Sequence, residues 1–331
     1  MPNQVTFLPS PFENEHMLGL IARWGYLVSD GDIALSLNRL SPKASMLTSK
    51  YVFHPMLDDV FNIYGDAIKR DLVVRQHTLV PYYCALMKYK NIYPLIHQVK
   101  YRGTFHNKMK RVKSTCAPTA LYNSVLKFGN QWRWCDQCVI EDEENKGTPY
   151  WHSAHQIPSM LSCYRHSGSA LTAGCKHCGF SIKDLRKQVV PPKNNQCPDC
   201  QEPFSPIYYE RNEVIEWVER CSLKLQTQQG NLTSSEYSFI MKHQVPGRFA
   251  DIVGKNVHQS IFIADKLQQE FTKWFEINGL GVFFEEPETA IYNDVLNLEK
   301  GIYKASNWPP LSVLLWLKFL DVEWPSVNIT A

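Results

Sequence analysis

The chain has 331 residues, of which 44% are hydrophobic and 20% charged, with a formal charge of +3 and a pI near 8.2. Ordinary globular usage at this length excludes one minimal domain and implies two or three, and so mild a charge excludes a protein that lives on phosphate contacts throughout. The start carries Glu13 and Glu15 and no apolar h-region, and the apolar stretch Leu311 to Leu320 holds Lys318 and is too short to span a bilayer, so a soluble cytoplasmic protein without a membrane span is expected.

After Ser10-Pro11, the residues Met17, Leu20, Ile21, Trp24 and Val28 fall on one face at helical spacing. Gly31 and its flanking aspartates break that pattern. A second short helix is expected from Asp32 to Leu40, closed by Ser41-Pro42, because the residue before proline is pushed out of the helical region. Leu57, Val60, Phe61, Tyr64 and Ile68 repeat the period after His54-Pro55. Residues 1–115 thus read as an N-terminal domain of short helices, compatible with a helix-turn-helix unit and also with any small α domain. Near its end Lys100, Arg102, Lys108, Lys110, Arg111 and Lys113 occur with no acidic residue among them. They are candidate phosphate contacts; the alternative is a solvated loop before a domain boundary.

Helical periodicity disappears from Trp132 to Phe204, where cysteine, glycine and proline are frequent, and residues 116–206 read as a tandem zinc-binding module with small β content. Ten cysteines without a secretion signal point to metal rather than disulfides. Four knuckles follow one another: Cys135-x-x-Cys138, Cys163-x-x-His166, Cys175-x-x-Cys178 and Cys197-x-x-Cys200. Zinc takes four ligands in a tetrahedron, and a two-residue gap lets one knuckle supply two of them. Pairing neighbouring knuckles closes the shortest loops, which assigns Cys135, Cys138, Cys163 and His166 to one zinc and Cys175, Cys178, Cys197 and Cys200 to a second. Both sets are closed, so structural rather than catalytic zinc is expected. Cys84, Cys116 and Cys221 remain as buried apolar residues. His152, His155 and His177 are assigned packing or hydrogen-bonding roles, and the acidic run Glu141, Asp142, Glu143 and Glu144 is expected to face solvent.

Beyond the module, Val214, Val218, Cys221 and Leu225 restore a helical face. A longer one runs through Val257, Ile261, Ala264, Leu267, Phe271, Trp274 and Phe275 and stops near Gly279. Residues 207–331 therefore read as a C-terminal helical domain, interrupted by a polar loop at 227–236. The whole is mainly α. No phosphate loop accompanies Gly254-Lys255, since Asn256 follows and Gly247 stands at the wrong distance, and no nucleophile-base constellation is recognisable, so no enzymatic activity is expected.

The strings RWCDQC (133–138), YWHSAHQIP (150–158), CYRH (163–166) and CKHCG (175–179) together resemble the TniQ/TnsD family of transposon target-selection proteins. The opening LPSPFENEHMLGLIARWG (8–25) is similar to the family's start, and HTLVPYY (77–83) looks like the TnsD branch. TKWFEINGLG (272–281) and WPPLSVLLWLKFL (308–320) are looser matches. Asp136 replaces the usual proline after the first cysteine, and Ser159 stands where glycine is usual. The resemblance implies an adaptor that links target recognition to the AAA+ ATPase TnsC. Recognition would come from a CRISPR Cascade effector with its guide RNA, to which a TniQ dimer attaches, or from the protein's own contact with target DNA, as in TnsD. TnsD proteins of the second kind carry a further helical region, so this chain is expected to be either a short TniQ-like protein or the N-terminal portion of a longer one. A RING-type ligase has a superficially similar ligand order, but the interval from His166 to Cys175 is too long for it.

Overall fold

The computed structural model describes residues 8–29, 32–44, 46–49, 51–65, 69–85, 125–227, 257–293, 295–297 and 309–322. Among them the chain is mainly helical, with a central module held by isolated β-bridges. The basic stretch from Lys100 to Lys113, Cys116, and the polar segment beyond Thr227 lie outside the described residues.

Helix α1 (Met17–Val28) starts where the His16 imidazole accepts the Leu18 amide at 3.2 Å, and it buries Met17, Leu20, Ile21 and Trp24. Asp32 caps α2 (Ile33–Leu40) by accepting the Leu35 amide at 2.9 Å. The two helices pack directly because Gly25 has no side chain: a Cβ there would meet Leu37 at 3.1 Å. Helix α3 (Leu57–Tyr64) stops four residues short of Ile68, because Gly65 turns the backbone to φ 52°. Ile68 itself lies outside the described residues. Two further helices, α4 (Arg70–His77) and α5 (Val80–Cys84), follow in HTLVPYY and its approach, with Pro81 in the first turn of α5, where its missing amide costs nothing.

One helix contradicts the loss of periodicity expected between Trp132 and Phe204. Helix α6 (Asp136–Lys146) is polar on most sides, so it gives no apolar stripe to read. Its Cys138 and Asp142 face inward, and Gly147 ends it at φ 75°. The remainder of the module holds a single 3-10 turn (Ala154–Gln156) among its described residues and short pairings, Trp134 with Thr172, Ser162 with Ala170, Gly174 with Ser181 and Gln196 with Pro203.

Helix α7 (Glu213–Thr227) crosses back over the N-terminal part and touches α4, α5 and the helix at Pro310–Phe319. Its Gln226 donates to the Thr78 carbonyl at 2.7 Å and accepts the Tyr82 amide at 3.3 Å. Helix α8 (Val257–Ile277) ends before Gly279 (φ 62°), and α9 (Pro287–Asn293) follows. The apolar stretch that is too short for a bilayer is α10 (Pro310–Phe319), buried on every side from Pro310 to Leu317, with Trp316 stacked on Phe271 at 3.9 Å. No described helix is long and apolar enough to cross a membrane. One apolar cluster joins these parts, from Met17 through Trp132, Trp134 and Trp151 to Leu317.

Candidate metal centres

Two four-residue clusters form at the knuckles. In the first, Cys138 Sγ lies 3.5 Å from Cys163 Sγ, and His166 Nδ1 lies 3.5, 3.4 and 3.6 Å from the sulfurs of Cys135, Cys138 and Cys163. In the second, Cys175 Sγ is 3.6 Å from Cys200 Sγ, and Cys178 Sγ is 3.6 Å from Cys197 Sγ. A tetrahedral ion with metal–sulfur bonds of about 2.3 Å requires sulfur–sulfur edges of about 3.8 Å, and slightly shorter edges to nitrogen. All donor atoms in each cluster lie within 4.8 Å of one another, so each set fits one metal ion. The structure thereby brings together all eight knuckle residues, in the neighbour pairing.

Local structure explains why the donors converge. Cys135 is the residue before α6 and Cys138 lies in its first turn, so one helix start supplies two sulfurs. The stretch that follows the next knuckle is bound to that start through the Trp134–Thr172 bridge, with N–H to O distances of 3.0 and 2.8 Å. Arg165 and His166 turn their amides toward Cys163 Sγ, each at 3.4 Å. At the second cluster the Cys175 amide donates to the Phe180 carbonyl at 2.8 Å, closing a tight hairpin. A Cβ on Gly174 would sit 2.4 Å from that carbonyl oxygen, so only glycine fits there.

The acidic run is divided, contrary to a uniformly solvent-facing reading. Glu143 and Glu144 are exposed, but Glu141 and Asp142 lie one turn beyond Cys138 and turn toward the first cluster. Glu141 accepts His166 Nε2–H at 2.8 Å and Arg165 Nη2–H at 2.6 Å. The bond from His166 holds the Glu141 carboxyl below its ordinary value. Such a carboxylate fixes the ring orientation and tautomer of a ligating histidine. Asp142 is buried, 3.1 Å from Arg165 Nη1 and 2.7 Å from His152 Nε2, and His152 Nδ1 continues to Tyr164 OH at 2.9 Å. His155 lies with Nε2 3.4 Å from Cys163 Sγ; burial keeps its imidazole neutral, far below the usual range, so it can donate to a thiolate without adding charge. His152 and His155 thus have the hydrogen-bonding roles expected of them, while His177 is exposed. Among the leftover cysteines, Cys221 is buried in α7.

Sequence reasoning also missed what secures the module. Arg133 is fully buried, donating through Nη1 to the Met160 carbonyl and through Nη2 to the Ile157 carbonyl at 2.6 Å. Burial pushes its guanidinium down to about 9. Its backbone is clasped by Gln156, which accepts the Arg133 amide at 3.0 Å and donates to the Arg133 carbonyl at 2.9 Å. Glu219 of α7 accepts the amides of Leu161 and Ser162 at 2.7 and 2.6 Å and the Ser162 hydroxyl at 2.8 Å. The only signal for Arg133 and Gln156 is their place in the strings RWCDQC and YWHSAHQIP, and Glu219 lies in neither. No protein-family model matches the chain, and a search of curated proteins gives no match.

Proposed function

We propose that this chain is a non-enzymatic targeting factor for DNA transposition of the TniQ/TnsD type, and that its two clusters hold structural zinc. The observation that carries the reading is the meeting of the resembling strings in one unit. RWCDQC clasps YWHSAHQIP through Arg133 and Gln156, and shares a metal cluster with CYRH. The family-like start joins the same unit: the Ser153 amide donates to the Asn14 carbonyl at 2.8 Å, and the Tyr150 hydroxyl to the Glu13 carbonyl at 3.1 Å.

Zinc is the ion that suits three or four thiolates in a tetrahedron, and with four protein ligands it supplies fold stability rather than an activated water. Structural zinc contributes apparent binding free energies on the order of 10–16 kcal/mol, comparable to or larger than the net stability of a domain. Cys135, Cys138, Cys163 and His166 hold one ion; Cys175, Cys178, Cys197 and Cys200 hold the other. A rigid unit of this kind suits an adaptor that engages a target-bound complex and a TnsC-type ATPase together.

The target side has two forms, an RNA-guided Cascade effector or direct DNA contact. One observation favours the second: α2 is fixed by its inner face against α1 and exposes Asn38 and Arg39, side chain types that pair with base edges. The test is reconstituted insertion with transposase and TnsC, with and without this chain and with each target-recognition system. Insertion should lose its site preference when the chain is omitted. Unchanged frequency and site choice without it would overturn the reading.

A further inference from the structure

The two clusters differ in shielding. Cys135, Cys138 and Cys163 are all buried, and the mostly buried ring of His166 is held through Nε2 by Glu141, which is itself paired with Arg165. In the other cluster Cys178 is exposed and Cys200 half-buried, while Cys175 and Cys197 are buried. Four thiolates on one divalent ion also leave a net charge of about −2, against about −1 for three thiolates and an imidazole, so the outer cluster is the more electron-rich as well as the more accessible.

We propose that the four-cysteine centre is a redox-labile site, opened by a peroxide through Cys178 and Cys197, while the Cys135–His166 centre stays closed. The inference rests on both clusters holding zinc. The Cys178 thiolate attacks one oxygen of hydrogen peroxide, the O–O bond breaks, and hydroxide leaves to give a sulfenic acid. The Cys197 thiolate, 3.6 Å away, then attacks that sulfur and expels the second hydroxide. Two thiolates are oxidised to one disulfide, the peroxide is reduced to two hydroxides, and the ion departs with half its ligands gone.

The chain between these two cysteines makes the event consequential. Its Ile182 carbonyl accepts the Trp132 amide at 2.8 Å, and its Val189 carbonyl accepts Trp151 Nε1–H at 2.8 Å. Leu185 and Asp184 bracket Leu47 of the N-terminal part: the Leu185 amide donates to the Leu47 carbonyl at 3.1 Å, and the Asp184 carboxylate accepts the Leu47 amide at 3.0 Å. Loss of the outer ion unties this segment from Cys175 and Cys200 while the new disulfide pulls its two ends together, and that rearrangement loosens its hold on Leu47.

The experiment uses the full chain. Metal content is measured first, and a preparation without zinc would sink the metal reading itself rather than this proposal. Hydrogen peroxide is then added with a chromophoric zinc indicator, and cysteines are mapped by differential alkylation and peptide mass spectrometry. One zinc equivalent should leave at least about tenfold faster than the other, with a Cys178–Cys197 disulfide at that point and Cys135, Cys138 and Cys163 unmodified. Amide exchange should rise at 182–189 and not at 135–146. Glu141→Gln should accelerate only the slow phase. Release in a single phase, first oxidation at Cys135, Cys138 or Cys163, or acceleration of the fast phase by Glu141→Gln would each overturn the proposal.

Discussion

At Arg133 a full positive charge sits with none of its surface exposed, its two Nη atoms donating to carbonyls and its Nε left without an acceptor, and at Glu219 a buried carboxylate answers two amides and a hydroxyl. Such groups cost more to break than they contribute when intact, because the stranded partner remains buried. Glu219→Ala should therefore destabilise by about 2–6 kcal/mol, from two orphaned amides at about 1–3 kcal/mol each, read as a lower urea midpoint at constant slope. A change below about 0.5 kcal/mol would contradict it. The buried imidazoles give a pH prediction. Burial, aided by His77, lowers His16 to about 3, and burial lowers His54 to about 4. Both are neutral when folded and gain a proton when unfolded below about 6.5, so the unfolded chain binds more protons and stability falls as pH drops through that window. At pH 5 each contributes a loss of about 2 kcal/mol. His16→Asn should flatten the slope of stability between pH 6.5 and 4 relative to the parent; equal slopes would contradict this. The eight candidate ligands are legible in the sequence because a knuckle is a local device. Glu141 and Asp142 are not, since their roles depend on a helix whose apolar pattern is silent. Ser159 is legible only as a departure from the family's glycine; its hydroxyl lies 3.0 Å from Tyr82 OH and 2.6 Å from Ser222 Oγ, joining α5 to α7.

Among elements, α1 and α2 follow from apolar spacing and caps, whereas α10, apolar on every side, and α6 do not. Amphipathic helices announce themselves, whereas α6 is held by its cysteines and by Gly147. The second-cluster hairpin is as strict, since Gly174 has no room for a methyl group against Phe180. Gly174→Ala should lower bound metal from two ions per chain toward one, with the Cys135–His166 set still filled, as measured by metal analysis and cysteine alkylation. Retention of both ions would show that the turn yields. In the C-terminal part, Trp316→Ala removes a ring stacked on Phe271 and edge-on to Phe319, and should cost about 3–5 kcal/mol in chemical denaturation. A loss under about 1 kcal/mol would mean that α10 is not packed as described.

Across the whole molecule, α4 and α5 lie directly on α7, so helices from before and after the central module pack together, and one apolar cluster joins them to it. Contacts such as Gln226 to Thr78, separated by 148 residues, leave no trace in local periodicity. They predict that metal loss is felt well beyond residues 116–206: full chelation should also raise amide exchange in α1, whose start is held by the His16 amide on the Trp151 carbonyl at 2.6 Å. The claim on which the rest depends is that two ions staple the centre of this fold. Metal analysis of the purified full chain tests it most directly. The account predicts two zinc ions per chain, falling to one with Cys197→Ser if that variant folds, whereas well under two ions in the parent, or a metal other than zinc, would contradict it.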